Sequence, residues 1–196
     1  MQKGVWVIEY AGSNLSTNGI TVGEMNAVAK TVKGKDIFRN VIHPKYGDVY
    51  KTLYAKGQTH IGTPRCLNQF AVSLKPIEKT QKALPPSKHD NKLLAELLAL
   101  KVNINSSAAG KTNTGFGGLL FDIMPTDLTT PSFYKGMTVN HIAAFADSVI
   151  SCDTTKTAVD PVKLYDVILS INKAFGGKFD TSAYAVKTKL KNSRVL

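Results

Sequence analysis

The sequence predicts an α+β fold, with short strands and one helix in the amino-terminal half and a carboxy-terminal module of about three helices. Three observations carry that prediction. VWVIEYA at 5–11 is dense in aromatic and β-branched residues, as strands are. NKLLAELLALKVNI, at 91–104, carries two adjacent leucine stripes at helical spacing. DPVKLYDVILSINKAFGG, from residue 160, has an aspartate cap, a proline in the first helical position, an apolar face and a double-glycine stop.

Taken in order, the strand at 5–11 runs into a turn region between Gly12 and Gly19. Thr21 then offers a cap with Glu24 three residues on, and Val22, Met25, Val28, Ala29 and Val32 recur at helical intervals. This predicts a helix over about 22–33, stopped by Gly34. Residues 35–90 mix Pro44, Gly47, Gly57, Gly62 and Pro64 with short aromatic runs, which predicts irregular structure and short strands. Within it, LNQFAVSLKPI at 67–77 reads as a strand and KALPPSKHD as a connector. A boundary near residue 88 separates a strand-containing region, 1–88, from a helical module, 89–196, and the two can also pack as one unit.

Past that point Asp90 or Asn91 caps the leucine helix, and GFGGLLFDI reads as glycine turns entering a short buried strand. Thr138 caps a helix whose apolar face is Val139, Ile142, Ala146, Val149 and Ile150. Asp160 caps the last helix, which buries Leu164, Val167, Ile168, Ile171 and Phe175. In the final stretch Lys187, Lys189, Lys191 and Arg194 interleave with Val186, Thr188 and Leu190, a period of two that predicts a strand with one lysine face. Such lysines protect a sheet edge or stay solvated more often than they bind a polyanion, and polyanion contact is kept as the alternative.

The phrase GITVGEMNAVAKTV at 19–32 is nearly repeated as GMTVNHIAAFADSV at 136–149. A turn glycine, an apolar staple and a threonine cap converge on such wording without duplication, and the flanking sequences do not match, which favours convergence over the alternative of a swapped or truncated repeat.

The 196 residues carry 25 Lys/Arg against 14 Asp/Glu, a net charge of +11 with 43% hydrophobic content. That composition fits a globular chain attractive to polyanions at low salt. No apolar run approaches the length of a membrane helix. The first twenty residues lack the apolar region of a secretory signal, so the chain is either cytoplasmic or cut from a longer exported protein. Cys66 and Cys152, 86 residues apart without CxxC spacing, form either one disulfide or two buried thiols.

Motifs for chemistry are not found. His43, His60, His89 and His141 fit no metal-ligand spacing and read as ordinary surface or helix histidines. GFGG at 115–118 lacks the phosphate-loop and dinucleotide patterns, no GxSxG elbow occurs, and the aspartates show no calcium-loop spacing. No metal, cofactor or catalytic residue is therefore assigned. Tyr46, Tyr50 and Tyr54 alternate with Lys45, Lys51 and Lys56, a pattern that stacks bases or sugar rings, or else packs one helix face on the body.

The order LLAELLALKVNINSSAAGKTNTGFGGLLFD, YKGMTVNHIAAFADSVISCD, VKLYDVILSINKAFGGKFD resembles a poorly characterised helical module of large secreted and cell-surface proteins of environmental bacteria. The resemblance covers about residues 90–192 and rests on packing and capping motifs. It implies a non-catalytic structural or adhesive domain of an exported protein, extracellular or at the cell surface, whose partners are neighbouring domains or copies of itself. It assigns no functional residue. The alternative is a polyanion-binding module, for which acidic polysaccharide is favoured over nucleic acid because neither an RRM signature nor a basic recognition helix is present. An enzyme of unknown class ranks below both.

Overall fold

The computed structural model describes residues 19–122, 129–153, 159–175 and 190–191. The strand expected at 5–11 lies outside them, as do Gly176 and Gly177 and, in the expected carboxy-terminal strand, Lys187, Lys189 and Arg194.

The fold is mixed α+β. Strands β1 (Ile20–Val22), β4 (Val41–His43) and β5 (Gln81–Lys82) form one sheet in the order β1-β4-β5. β1 pairs antiparallel with β4, Ile20 opposite His43 and Val22 opposite Val41, while β5 runs parallel to β4. Between them β2 (Ala29–Lys30) and β3 (Asp36–Ile37) make a small antiparallel ribbon. Helix α1 (Tyr46–Leu53) follows β4 directly and turns Val49, Thr52 and Leu53 inward. Its first turn is held by Asp48, whose carboxylate accepts from the Lys45 N–H at 3.2 Å.

Helix α2 (Lys92–Ala108) is the axis of the molecule. It buries Leu93, Leu94, Leu97, Leu98 and Leu100 and packs on β1, α1, α3 (Val139–Ile150) and α4 (Pro161–Phe175). That is the circumferential burial its double leucine stripe requires. The expected caps are in place. Asn91 accepts from Leu93 N–H at 3.0 Å, Thr138 from His141 N–H at 3.1 Å, and Asp160 from Val162 N–H at 2.8 Å. The expected GLLFD strand is the two-residue β6 (Leu120–Phe121), entered from a 3₁₀ turn at Phe116–Gly118 and paired with β7 (Leu190–Lys191). One apolar cluster unites Ile20, Val22, Val41 and Leu84 with the leucines of α2 and with Ile142, Ile150, Leu164 and Ile171, so it draws on both sides of position 88.

Two expectations are corrected. No helix forms over 22–33: Thr21 lies in β1 opposite Ile42, and Gly23 takes φ +94°, which ends the strand in a turn. The first-turn amides that the Thr21 cap would have satisfied are claimed from α3 and its end instead. Gly23 N–H donates to Asp147 Oδ1 at 2.8 Å and Glu24 N–H to Ser151 Oγ at 2.7 Å. Tertiary acceptors override local propensity here, and Met25 and Val32, two members of the supposed apolar stripe, stand exposed. The two copies of the repeated phrase thus differ in structure, strand and loop in the first and a capped helix in the second, and they touch each other through Gly23 and Asp147.

Residues 67–77 are likewise not a strand. Leu67 and Ile77 are buried anchors, while the chain between them doubles back through Gln69 opposite Pro76, with Leu74 at φ 54°. Val72 and Leu74 sit exposed on that loop.

Candidate functional site

Cys66 and Cys152 meet. Their sulfurs are 2.10 Å apart, joining the loop after α1 to the second residue past α3, and Leu67 N–H donates to Ile150 O at 2.7 Å beside the bridge. Closing a loop of 86 residues is worth about 4–5 kcal/mol in the chain-entropy model.

Among the described residues a polar constellation lies between the amino-terminal sheet, α1 and the capped end of α2, and it contains three of the four histidines. His43, His60 and His89 are all buried, which corrects their reading as ordinary surface or helix residues. Each ring uses both nitrogens. His43 Nδ1 faces Ile20 O at 3.0 Å and its Nε2 faces Thr52 Oγ1 at 3.0 Å. His60 Nε2 faces Thr52 O at 2.8 Å, and its Nδ1 accepts from Asn91 N–H at 2.9 Å. His89 Nδ1 faces Gln69 O at 2.9 Å, and its Nε2 accepts from Asn91 Nδ2 at 3.1 Å.

These partners dictate the tautomers. A carbonyl only accepts and a backbone N–H only donates, so His43 and His89 carry the proton on Nδ1 and His60 carries it on Nε2. Thr52 Oγ1 accepts from Leu84 N–H at 2.9 Å and gives its own proton to His43. The Asn91 amide is oriented by its contacts too, Oδ1 accepting from Leu93 N–H and Nδ2 donating to Arg65 O at 2.8 Å. Burial holds all three rings neutral. It pushes His43 and His89 down to about 4 and lowers His60 as well, against the opposing pull of nearby Asp48 on His43 and of Asp90 on His60 and His89.

A second constellation ties the first copy of the repeated phrase to α3. Lys101 of α2 donates to the Asp147 carboxylate and also to Thr21 O at 2.6 Å. Asp147 also accepts from Gly23 N–H, Ser151 Oγ donates to Arg39 O at 2.8 Å, and Ser148 Oγ donates to Glu24 Oε1 at 2.5 Å. Burial pushes the Asp147 carboxyl up, and the Lys101 ammonium opposes that shift.

Chemically, both constellations are consumed by the fold. A ring whose nitrogens are both engaged inside the core presents no lone pair or proton to a substrate, and an Asp147 shared between an ammonium and a backbone amide is a cross-link. Among the described residues no group of three or more His, Cys, Asp or Glu side chains is placed to hold a metal ion, and no helix is long and apolar enough to cross a membrane.

On the surface, the tyrosines of α1 do not pack inward as a set. Tyr46 and Tyr50 are 40% and 41% exposed, and Tyr50 meets Tyr54 edge-on at 5.7 Å between exposed Lys51 and Lys56. Of the lysine-face residues, Lys191 lies in β7 opposite Leu120.

The sequence signalled Cys66, Cys152 and the Asn91 cap. It did not signal the histidine network, because apart from Asn91, two residues from His89, the ring partners lie 8–31 residues away with no period to mark them. No family model matches the chain, and neither a curated protein nor a solved structure matches it.

Proposed function

We propose that this chain is a non-catalytic structural or adhesive domain of an exported or cell-surface protein, packing against neighbouring domains or against copies of itself. The observation that carries the reading is the Cys66–Cys152 bridge, which uses both cysteines of the chain. Structural disulfides persist in oxidising compartments and are rare in reducing ones. The buried titratable groups support it further, since His43, His60, His89 and Asp147 are all spent on joining elements of the fold. The resemblance of residues 90–192 to a helical module of large secreted proteins points the same way.

The test is the redox state in the native cell. Thiols are trapped with an alkylating agent at lysis and the Cys66/Cys152 peptides are read by mass spectrometry in each cell fraction. Bridged peptides in the extracellular or surface fraction support the reading; alkylated peptides in the cytosol contradict it.

One surface observation favours a second reading, a site for an acidic polysaccharide on α1. Half-exposed Tyr46 and Tyr50 offer ring faces for sugars, and exposed Lys45, Lys51 and Lys56 offer charge. That reading predicts retention on an acidic-polysaccharide column that falls steeply with salt and is weakened by Tyr50→Ala.

A further inference from the structure

The histidine network joins the 60–65 segment and, through His89, the chain at Gln69 to one residue. Asn91 caps α2, the axis of the core, and it accepts or donates to the loop at Arg65, the ring of His60 and the ring of His89. His43, through Thr52, ties β4 and α1 to Leu84 in the same neighbourhood. The bonds accepted by His60 Nδ1, His89 Nε2 and His43 Nε2 require a neutral ring. A proton added to His60 Nδ1 would face the Asn91 N–H, donor against donor. One added to His89 Nε2 would face the Asn91 Nδ2 amide, which cannot turn round without giving up the Leu93 cap. One added to His43 Nε2 would reverse that bond, the Thr52 hydroxyl turning to accept on its second lone pair and losing the acceptor for its own proton.

We infer that His43, His60 and His89 form an acid-operated latch, which holds the amino-terminal sheet, α1 and the 60–90 loops against the capped end of α2 at neutral pH and releases them on protonation. The Cys66–Cys152 bridge, one residue beyond Arg65, keeps the released layer tethered next to α3. This goes beyond the structural role proposed above and does not depend on it.

The charges around the rings set the sign and the size of the response. Asp48 faces His43 from α1 and Lys101 faces it from α2; Asp90 lies 3.7 Å from His60; Arg65, His60 and Asp90 surround His89. The carboxylates favour protonation and the cations oppose it, while burial opposes it at all three rings and outweighs the carboxylates. Rings whose folded value lies below the ordinary 6.5 keep the latch fully closed above that pH. They lose it as pH falls toward about 4, because the open form takes up the protons. At His60 the bond to the Thr52 carbonyl and the Asp90 carboxylate oppose the effect of burial. Three rings acting together raise the opening constant roughly 10²–10³-fold between pH 6 and pH 5.

Amide hydrogen exchange of the intact, oxidised protein between pH 6 and pH 5, corrected for intrinsic rates, tests this. The amides of Leu84, Asn91 and Leu93 are expected to lose protection by that factor while those within α3 and α4 hold theirs. Unchanged protection at the first set, or an equal loss throughout α3 and α4, overturns the latch. A His89→Asn protein, which keeps a donor toward Gln69 and removes one titrating ring, should respond up to about tenfold less per pH unit. Should that variant not fold, the wild-type rings decide by NMR titration: uptake of protons near the ordinary value with the layer still closed overturns the proposal.

Discussion

The backbone N–H of Asn91 donates to Nδ1 of His60 across 2.9 Å, in a place where neither group reaches water. A helix cap and a histidine 31 residues upstream thus satisfy each other. Unsatisfied, either would carry a desolvation penalty of about 1–3 kcal/mol.

Replacing Asn91 with Ala removes the α2 cap together with the bonds to Arg65 O and His89 Nε2. We expect a loss of about 2–4 kcal/mol, more than a surface cap is worth, because the abandoned groups are buried. Urea unfolding at pH 7 measures it. A loss under half a kcal/mol would mean the network adds nothing to stability.

Thr52 is fully buried and its hydroxyl is both acceptor for Leu84 and donor to His43. Thr52→Val keeps the shape and strands both partners, so it should cost about 1–3 kcal/mol. Thr52→Ser keeps the hydroxyl and should retain the larger part of that. The pair, compared by denaturant midpoint, separates hydrogen bonding from packing.

Lys101→Met should leave the Asp147 carboxylate buried without its counter-ion, a change of about 3–5 kcal/mol at neutral pH. The sign with pH is opposite to that of the histidines. A carboxyl whose folded value is raised is penalised where it must ionise, so the deficit relative to wild type should shrink as pH falls from 7 to 5. A deficit that is constant over that range would show that Lys101 contributes packing alone.

Gly23→Ala should be poorly tolerated. Its φ of +94° disfavours any side chain, and an added Cβ would lie 2.7 Å from Arg39 O and from Ser151 Oγ. The loop that meets Asp147 and Ser151 would have to shift, which should lower the melting temperature by several degrees, corresponding to about 1–3 kcal/mol. A melting curve unchanged by the substitution would mean that the 21–24 loop is not anchored to α3.

The carboxy-terminal helices were legible in the sequence because their signals are local: Thr138 and Asp160 sit at the caps and the apolar faces repeat every three or four residues. The stretch from Thr21 to Val32 carries the same wording, and it misleads because Asp147 and Ser151, more than 120 residues away, take its amides. Asn91 was visible as a cap but not as the hub of the histidine network. Gln69, Arg65 and Thr52 reach that hub with backbone carbonyls, and a backbone carbonyl leaves no trace in residue identity. Tyr46 and Tyr50 illustrate a further limit, since four-residue spacing fixes a common helix face without saying whether that face turns inward.

The central claim is that the buried rings are neutral cross-links, each fixed in one tautomer by the backbone. Long-range ¹H–¹⁵N correlation of the histidine side chains at pH 7 tests it most directly. The account predicts Nδ1–H rings for His43 and His89 and an Nε2–H ring for His60, each as a single species. An imidazolium signal, or rapid averaging between tautomers at any of the three, would contradict it.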